Sequence, residues 1–221
     1  MKTLIVIPCY NEQDNIQGLI NKIEKLKYDY LVINDKSTDN SEALLNKQGI
    51  KHLSLCNNVG LANVTQIGFK YARDHGYQAM VVIDGDGQHP PKYIFKLLAE
   101  LEKGNDLVIG SRYLTEKKPY NLRMIGSRLL AFLIFLKTRK KYSDPTSGMR
   151  AFGSKIIKEF AEDMNYIAEP DALVSVTRKK YLVKEVQVNM ESRLGGQSYF
   201  ASPFKTIRYM FTSIISILLI R

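Results

Sequence analysis

Five short apolar runs punctuate the first half of this 221-residue chain, and a helical period follows four of them. The runs are Thr3 to Ile7, Tyr30 to Ile33, His52 to Leu55, Ala79 to Ile83 and Leu107 to Ile109. Between them Ile16, Leu19, Ile20, Ile23 and Leu26 mark one helix face, Ser41 to Gln48 a short helix, and Leu61 to His75 a longer one. A fourth helix starts at Pro90-Pro91 and turns Leu97, Leu98 and Leu101 inward. Such alternation predicts an α/β fold with a mostly parallel central sheet and helices on both faces, because parallel neighbours need long crossovers.

Ligands in such sheets gather beyond the carboxyl ends of the strands. The loops expected there carry Pro8-Cys9-Tyr10-Asn11-Glu12, Asn34-Asp35-Lys36-Ser37-Thr38-Asp39 and Asp84-Gly85-Asp86-Gly87-Gln88-His89-Pro90-Pro91. Neither a dinucleotide glycine fingerprint nor a P-loop occurs. Asp84 and Asp86 instead flank a glycine, so both carboxylates can converge on one hard cation, Mg²⁺ or Mn²⁺. A polar turn is the plainer reading of the same residues. His89 is read as a turn residue, with metal ligation as its second role.

Net charge is +10, and it is concentrated. From Arg112 to Lys158 there are twelve lysines and arginines against Glu116 and Asp144, which accounts for the whole excess. Phosphate, lipid head groups or nucleic acid would meet such a segment. Within it, Leu122 to Leu136 reads as an apolar helix ending in Lys137-Thr138-Arg139-Lys140-Lys141. A second apolar run, Tyr209 to Ile220, closes the chain. Both are short of the roughly 20 residues that span a bilayer, which leaves an interfacial helix, a core helix or an oligomer contact. Phe132 and Phe135 sit in an unbroken aliphatic run, unlike aromatic platforms spaced along a nucleic-acid groove. Val183 to Met190 alternates as a strand packed on one face would. The two cysteines, Cys9 and Cys56, show no disulfide or metal spacing, and are expected to be small core residues in a reducing cytoplasm.

In order and spacing, these loops together with Gly110-Ser111-Arg112-Tyr113 and Asp144-Pro145-Thr146-Ser147-Gly148-Met149-Arg150 resemble family 2 glycosyltransferases, and most nearly the dolichyl or polyprenyl-phosphate sugar synthases. The resemblance implies a GT-A fold and one domain over 1–221. Residues 1–111 would bind a nucleotide sugar, and 112–221 an acceptor, with apolar segments on a membrane. Pro8, Tyr10, Asn11, Glu12 and Asp35 would line the nucleotide pocket beside Asp84 and Asp86, while Asp84, Asp86 and Gln88 hold the divalent cation. Arg112, Arg128, Arg193 and Ser198 would meet the acceptor or leaving-group phosphate. Glu169 and Asp171 fall where the family places acids beside the acceptor, and Asp86, Arg112 and Asp171 are the expected catalytic residues. Asn34 and Lys36 depart from the aspartate and glycine many relatives carry, so the base contact there is the weakest match.

The activity so implied is inverting transfer from a nucleotide sugar to a polyprenyl phosphate at the cytoplasmic face of the membrane. The alternative acceptor is a saccharide or protein hydroxyl. No nucleic-acid partner is expected, and a second copy or a membrane protein is the other use foreseen for the apolar segments.

Overall fold

The structure, a computed structural model, describes residues 1–120, 122–163, 169–191, 195 and 203–219. The strands are β1 (Thr3–Cys9), β2 (Asp29–Asn34), β3 (His52–Ser54), β4 (Ala79–Val82), β5 (Leu107–Ser111), β6 (Arg150–Gly153) and β7 (Val183–Gln187). They form one seven-stranded sheet in the order β3-β2-β1-β4-β6-β5-β7. All pairs are parallel except those of β6, which runs antiparallel between β4 and β5. The helices are α1 (Ile16–Glu24), α2 (Ser41–Lys47), α3 (Leu61–Asp74), α4 (Ile94–Glu102), α5 (Leu122–Thr138), α6 (Ser154–Glu162), α7 (Glu169–Arg178) and α8 (Pro203–Leu219).

Period-2 alternation divides each central strand between two cores. Leu4, Val6, Met80 and Val82 face a cluster with Phe69 of α3, Ile156 and Phe160 of α6, and Leu130 and Ile134 of α5. Ile5, Ile7, Val81 and Ile83 face the other, with Ile16 and Ile20 of α1 and Leu97 and Leu98 of α4. Burial on both faces explains why these strands read as continuous apolar runs.

Several expectations need correction. β6 is a strand the sequence did not announce, since Arg-Ala-Phe-Gly is too short to show a period. β1 continues through Pro8 to Cys9, β7 ends at Gln187 rather than Met190, and the last helix begins at Pro203, six residues before the apolar run. Cys9 is buried as expected, and burial pushes its thiol up to about 12. Cys56, by contrast, is exposed: it follows β3, the end strand of the sheet.

Candidate active site

Because β6 runs backward, the loop that enters it lies at the same sheet edge as the loops that leave β1, β2, β4, β5 and β7. That edge collects every motif singled out above whose residues are described. The first two loops are stitched together: Asn11 N–H donates to Ser37 Oγ at 3.0 Å, Thr38 N–H to Asn11 Oδ1 at 2.8 Å and Glu12 N–H to Ser41 Oγ at 2.9 Å. Asn11 and Lys36 hold left-handed backbone conformations, with φ of 57° and 59°. A glycine would adopt the latter without strain, which is the physical reason glycine suits that position better than the lysine this chain carries.

Asp35 is buried, and its carboxylate accepts from Val59 N–H at 2.7 Å and Gly60 N–H at 2.9 Å, just ahead of α3. Its described contacts therefore fix the loop that leads into α3. Tyr10 is exposed, which leaves its ring available for stacking. Glu12 accepts from Asn15 Nδ2 at 2.8 Å and lies beside Gly85, whose N–H donates to Pro8 O at 3.2 Å. A Cβ on Gly85 would stand 2.8 Å from that carbonyl, so only glycine lets the two loops meet.

Asp84, Asp86 and His89 present ligand atoms within 4.8 Å of one another. His89 is 2% exposed, with Nδ1 at 3.4 Å from both Asp84 Oδ2 and the Asp84 N–H. Gln88, expected as the third ligand, contributes through its backbone: its N–H donates to Asp86 Oδ1 at 2.9 Å and its carbonyl accepts from Glu191 N–H at 3.0 Å. Two carboxylates with an imidazole are hard donors with one borderline nitrogen, which fits Mg²⁺ and suits Mn²⁺ better.

Arg112, at the end of β5, pairs bidentately with Asp144, Nε to Oδ2 at 2.6 Å and an η nitrogen to Oδ1 at 2.8 Å. Burial opposes its charge, but the bonds to Asp144 outweigh that and raise its pKa; Asp84 adds to the effect. Sequence reasoning passed over Lys118. Its Nζ donates to Ser127 Oγ at 2.9 Å, and its carbonyl accepts from Arg128 at 2.7 Å. Burial draws the Lys118 ammonium below its ordinary range; Asp144 and Glu185 oppose the shift, while Arg112 and Arg128 push the same way as burial. The Arg112 guanidinium and Lys118 Nζ lie over the Tyr113 ring at 5.2 and 5.5 Å, and Arg128 over Tyr120 at 4.5 Å. Lysine so near two arginines was hidden by its place in a run of ordinary surface charge.

Asp171 is one of the expected catalytic residues. It is 0% exposed, in α7, and accepts from Ser216 Oγ of α8 and from Ala172 N–H at 2.7 Å, so it ties two helices together. Arg193 and Ser198 lie outside the described residues, as does the Glu169 side chain. Gly195, within the same late motif, is anchored near the first loop: Asn15 Nδ2 donates to its carbonyl at 3.1 Å.

Comparison with known proteins matches this arrangement. Residues 4–161 fit the family model described as Glycosyl transferase family 2. A dolichol-phosphate mannosyltransferase of Pyrococcus furiosus is 30% identical over 212 residues, covering 90% of this chain but 59% of that protein, so the chain spans less than two thirds of that relative. A UDP-N-acetylglucosamine–dolichyl-phosphate N-acetylglucosaminyltransferase of Methanococcus voltae is 28% identical, with 83% of each chain covered. Among solved structures, glucosyl-3-phosphoglycerate synthase of Mycobacterium tuberculosis, in complex with Mn²⁺, UDP and phosphoglyceric acid, superposes with a TM-score of 0.74 at 16% identity over 100% of this chain and 79% of its own. A complex of the same synthase with Mg²⁺ and UDP gives 0.71 at 18% identity, over 100% of this chain and 80% of its own. With its GT-A sheet, its acidic loop after β4 and most of its length inside the family model, the chain belongs to glycosyl transferase family 2.

Proposed function

We propose that this glycosyltransferase moves a sugar from a nucleotide-sugar donor to a polyprenyl phosphate, with inversion, at the cytoplasmic face of a membrane. The observation that carries the acceptor class is the cation cluster of Arg112, Lys118 and Arg128. Among the described residues Lys118 and Arg128 hydrogen-bond a hydroxyl and backbone carbonyls rather than a carboxylate, and Asp144 and Glu185 act on the Lys118 ammonium only through space. A second anion completes such a group. The relatives named above are by their names transferases to dolichol or dolichyl phosphate, and a polyprenol monophosphomannose synthase of Mycolicibacterium smegmatis is 26% identical over 89% of this chain and 80% of its own.

The chemistry agrees. A phosphate monoester, with a second pKa of about 6, arrives as a nucleophilic anion. One of its oxygens bonds the anomeric carbon from the face opposite the nucleotide, and the bond from that carbon to the diphosphate oxygen breaks with its electron pair leaving on the nucleotide. No proton moves, so no general base is needed. A divalent cation held by Asp84, Asp86 and His89 would supply charge neutralisation on the departing diphosphate. Arg112 sits between the two halves, fixed by Asp144 and within electrostatic reach of Asp84. A hydroxyl acceptor would need a base; of the two candidates the sequence offered, Asp171 is buried against α8, and the Glu169 side chain lies outside the described residues.

For the membrane, α5 and α8 offer exposed apolar stripes flanked by Lys137, Arg139, Lys140 and Lys141. Among the described residues no helix is long and apolar enough to cross a bilayer. Contact at the interface is the use these stripes suit, with basic residues near an anionic leaflet contributing about 1 kcal/mol each.

The test is incubation with a panel of nucleotide sugars, Mg²⁺ or Mn²⁺ and a short-chain polyprenyl phosphate, with products read by mass. The expected product is a lipid-phosphate sugar, absent for a folded Asp86→Ala variant. Transfer to saccharide hydroxyls alone would overturn the acceptor assignment, and full turnover by Asp86→Ala the metal assignment.

A further inference from the structure

Arg112 is held from two directions, and both holds come from β7. Glu185 and Gln187 lie two residues apart on this strand, hence on the same face, and β7 pairs with β5 so that Gln187 stands opposite Ser111. Glu185 accepts from Ser143 N–H at 2.9 and 3.0 Å, from Ser143 Oγ at 2.8 Å and from Asp144 N–H at 3.0 Å. It thereby fixes the carboxylate that grips the Arg112 side chain. Gln187 holds the backbone: its Oε1 accepts from Leu114 N–H at 3.0 Å and Thr115 N–H at 2.9 Å, while its Nε2 donates to Arg112 O at 2.9 Å. Three main-chain groups across four residues are satisfied by one amide. No other side chain of that length both accepts two N–H groups and donates to a carbonyl.

We propose that Gln187 is a positioning residue that presents the Arg112–Thr115 turn, and with it the Arg112 guanidinium, to the acceptor phosphate. The inference rests on the reading that Arg112 meets that phosphate, and it makes a graded prediction. Gln187→Met keeps length and loses all three bonds. Gln187→Glu keeps both acceptor bonds but sets a carboxylate against the Arg112 carbonyl.

The full chain is assayed with farnesyl phosphate and the nucleotide sugar that wild type uses. Loss of about one net hydrogen bond's worth of preorganisation corresponds to a rise of about tenfold in acceptor KM for Gln187→Met, with Gln187→Glu between it and wild type. Donor KM stays at the wild-type value. Hydrogen exchange at the Leu114 and Thr115 amides accelerates in Gln187→Met while β1 and β4 keep their protection. An unchanged acceptor KM in folded Gln187→Met, or equal rises in donor and acceptor KM, overturns the inference. Should wild type transfer nothing to lipid phosphate, the proposed function falls, and calorimetric affinity for farnesyl phosphate replaces KM. Weaker binding by Gln187→Met then sustains the positioning role, while equal binding, or none by wild type, overturns it.

Discussion

Gly148 leaves the proposed cation site almost no slack. A Cβ there would stand 2.6 Å from Asp84 Oδ2 and 3.0 Å from Oδ1, so alanine must push the carboxylate aside. Gly148→Ala is expected to weaken Mn²⁺ binding by about tenfold, a loss of about 1.4 kcal/mol, while thermal stability changes little; Mn²⁺ titration followed by electron paramagnetic resonance reads it. Unaltered affinity would mean that Asp84 is not a ligand. Lys118 makes a pH prediction. Its folded pKa lies below its unfolded one, so between them the unfolded chain binds the extra proton and stability rises with pH. The proposed phosphate capture would run the other way, because the ammonium is lost below the ordinary lysine range. Acceptor KM should climb on the alkaline side earlier than a normal lysine allows, and Lys118→Arg should flatten that climb; a flat wild-type profile would remove Lys118 from the site. The acids of the β4 loop were legible from their place after an apolar run and their spacing about Gly85. Lys118 was not, because its burial depends on Arg112, Arg128 and Ser127 arriving around it.

At the scale of elements, α5 and α8 lie side by side and parallel, with Gly126 against Met210 and Lys137 Nζ donating to Leu218 O at 2.8 Å. Each helix shows two characters. Leu130, Ile134 and Ile217 are buried, whereas Ile125, Leu129, Phe132, Leu136, Phe211, Ile215 and Leu218 are exposed. The sequence leaves core, lipid and oligomer open for these runs because a helix apolar all round carries no periodicity that names its partner. Substituting Phe132→Glu and Phe211→Glu together is expected to abolish co-sedimentation with vesicles rich in anionic lipid. Such exposed changes cost about 0.5 kcal/mol or less of stability each, so melting should hardly shift. Undiminished vesicle binding would assign these stripes to another partner. Asp171 shows the same dependence on packing: its place in the chain suggested catalysis, and the docking of α8 on α7 gives its carboxylate a bond to Ser216 that the sequence did not announce.

Across the whole molecule, Phe69 of α3 meets Phe152 of β6 and Phe160 of α6 edge to face, with ring centroids 4.9 and 5.2 Å apart. Residues from the two halves of the chain thus share one core, and the sheet itself interleaves them. Phe69→Ala should cost about 3–5 kcal/mol, lowering the urea midpoint in a single transition seen alike by fluorescence and circular dichroism. Separate transitions for residues 1–111 and the remainder would show two folding units instead of one. The sequence by itself determined what neighbours along the chain decide: β-branched runs buried on both faces, helices with one apolar stripe, and an acidic loop suited to a hard cation. Only the tertiary structure decided which loops meet. Antiparallel β6, wedged between β4 and β5, brings Asp144 to Arg112 and Gly148 to Asp84, and β7 braces that junction through Glu185 and Gln187. Periodicity encodes which face of a strand is buried, but strand order is set by packing between segments far apart in the chain, and it is strand order that assembles the site.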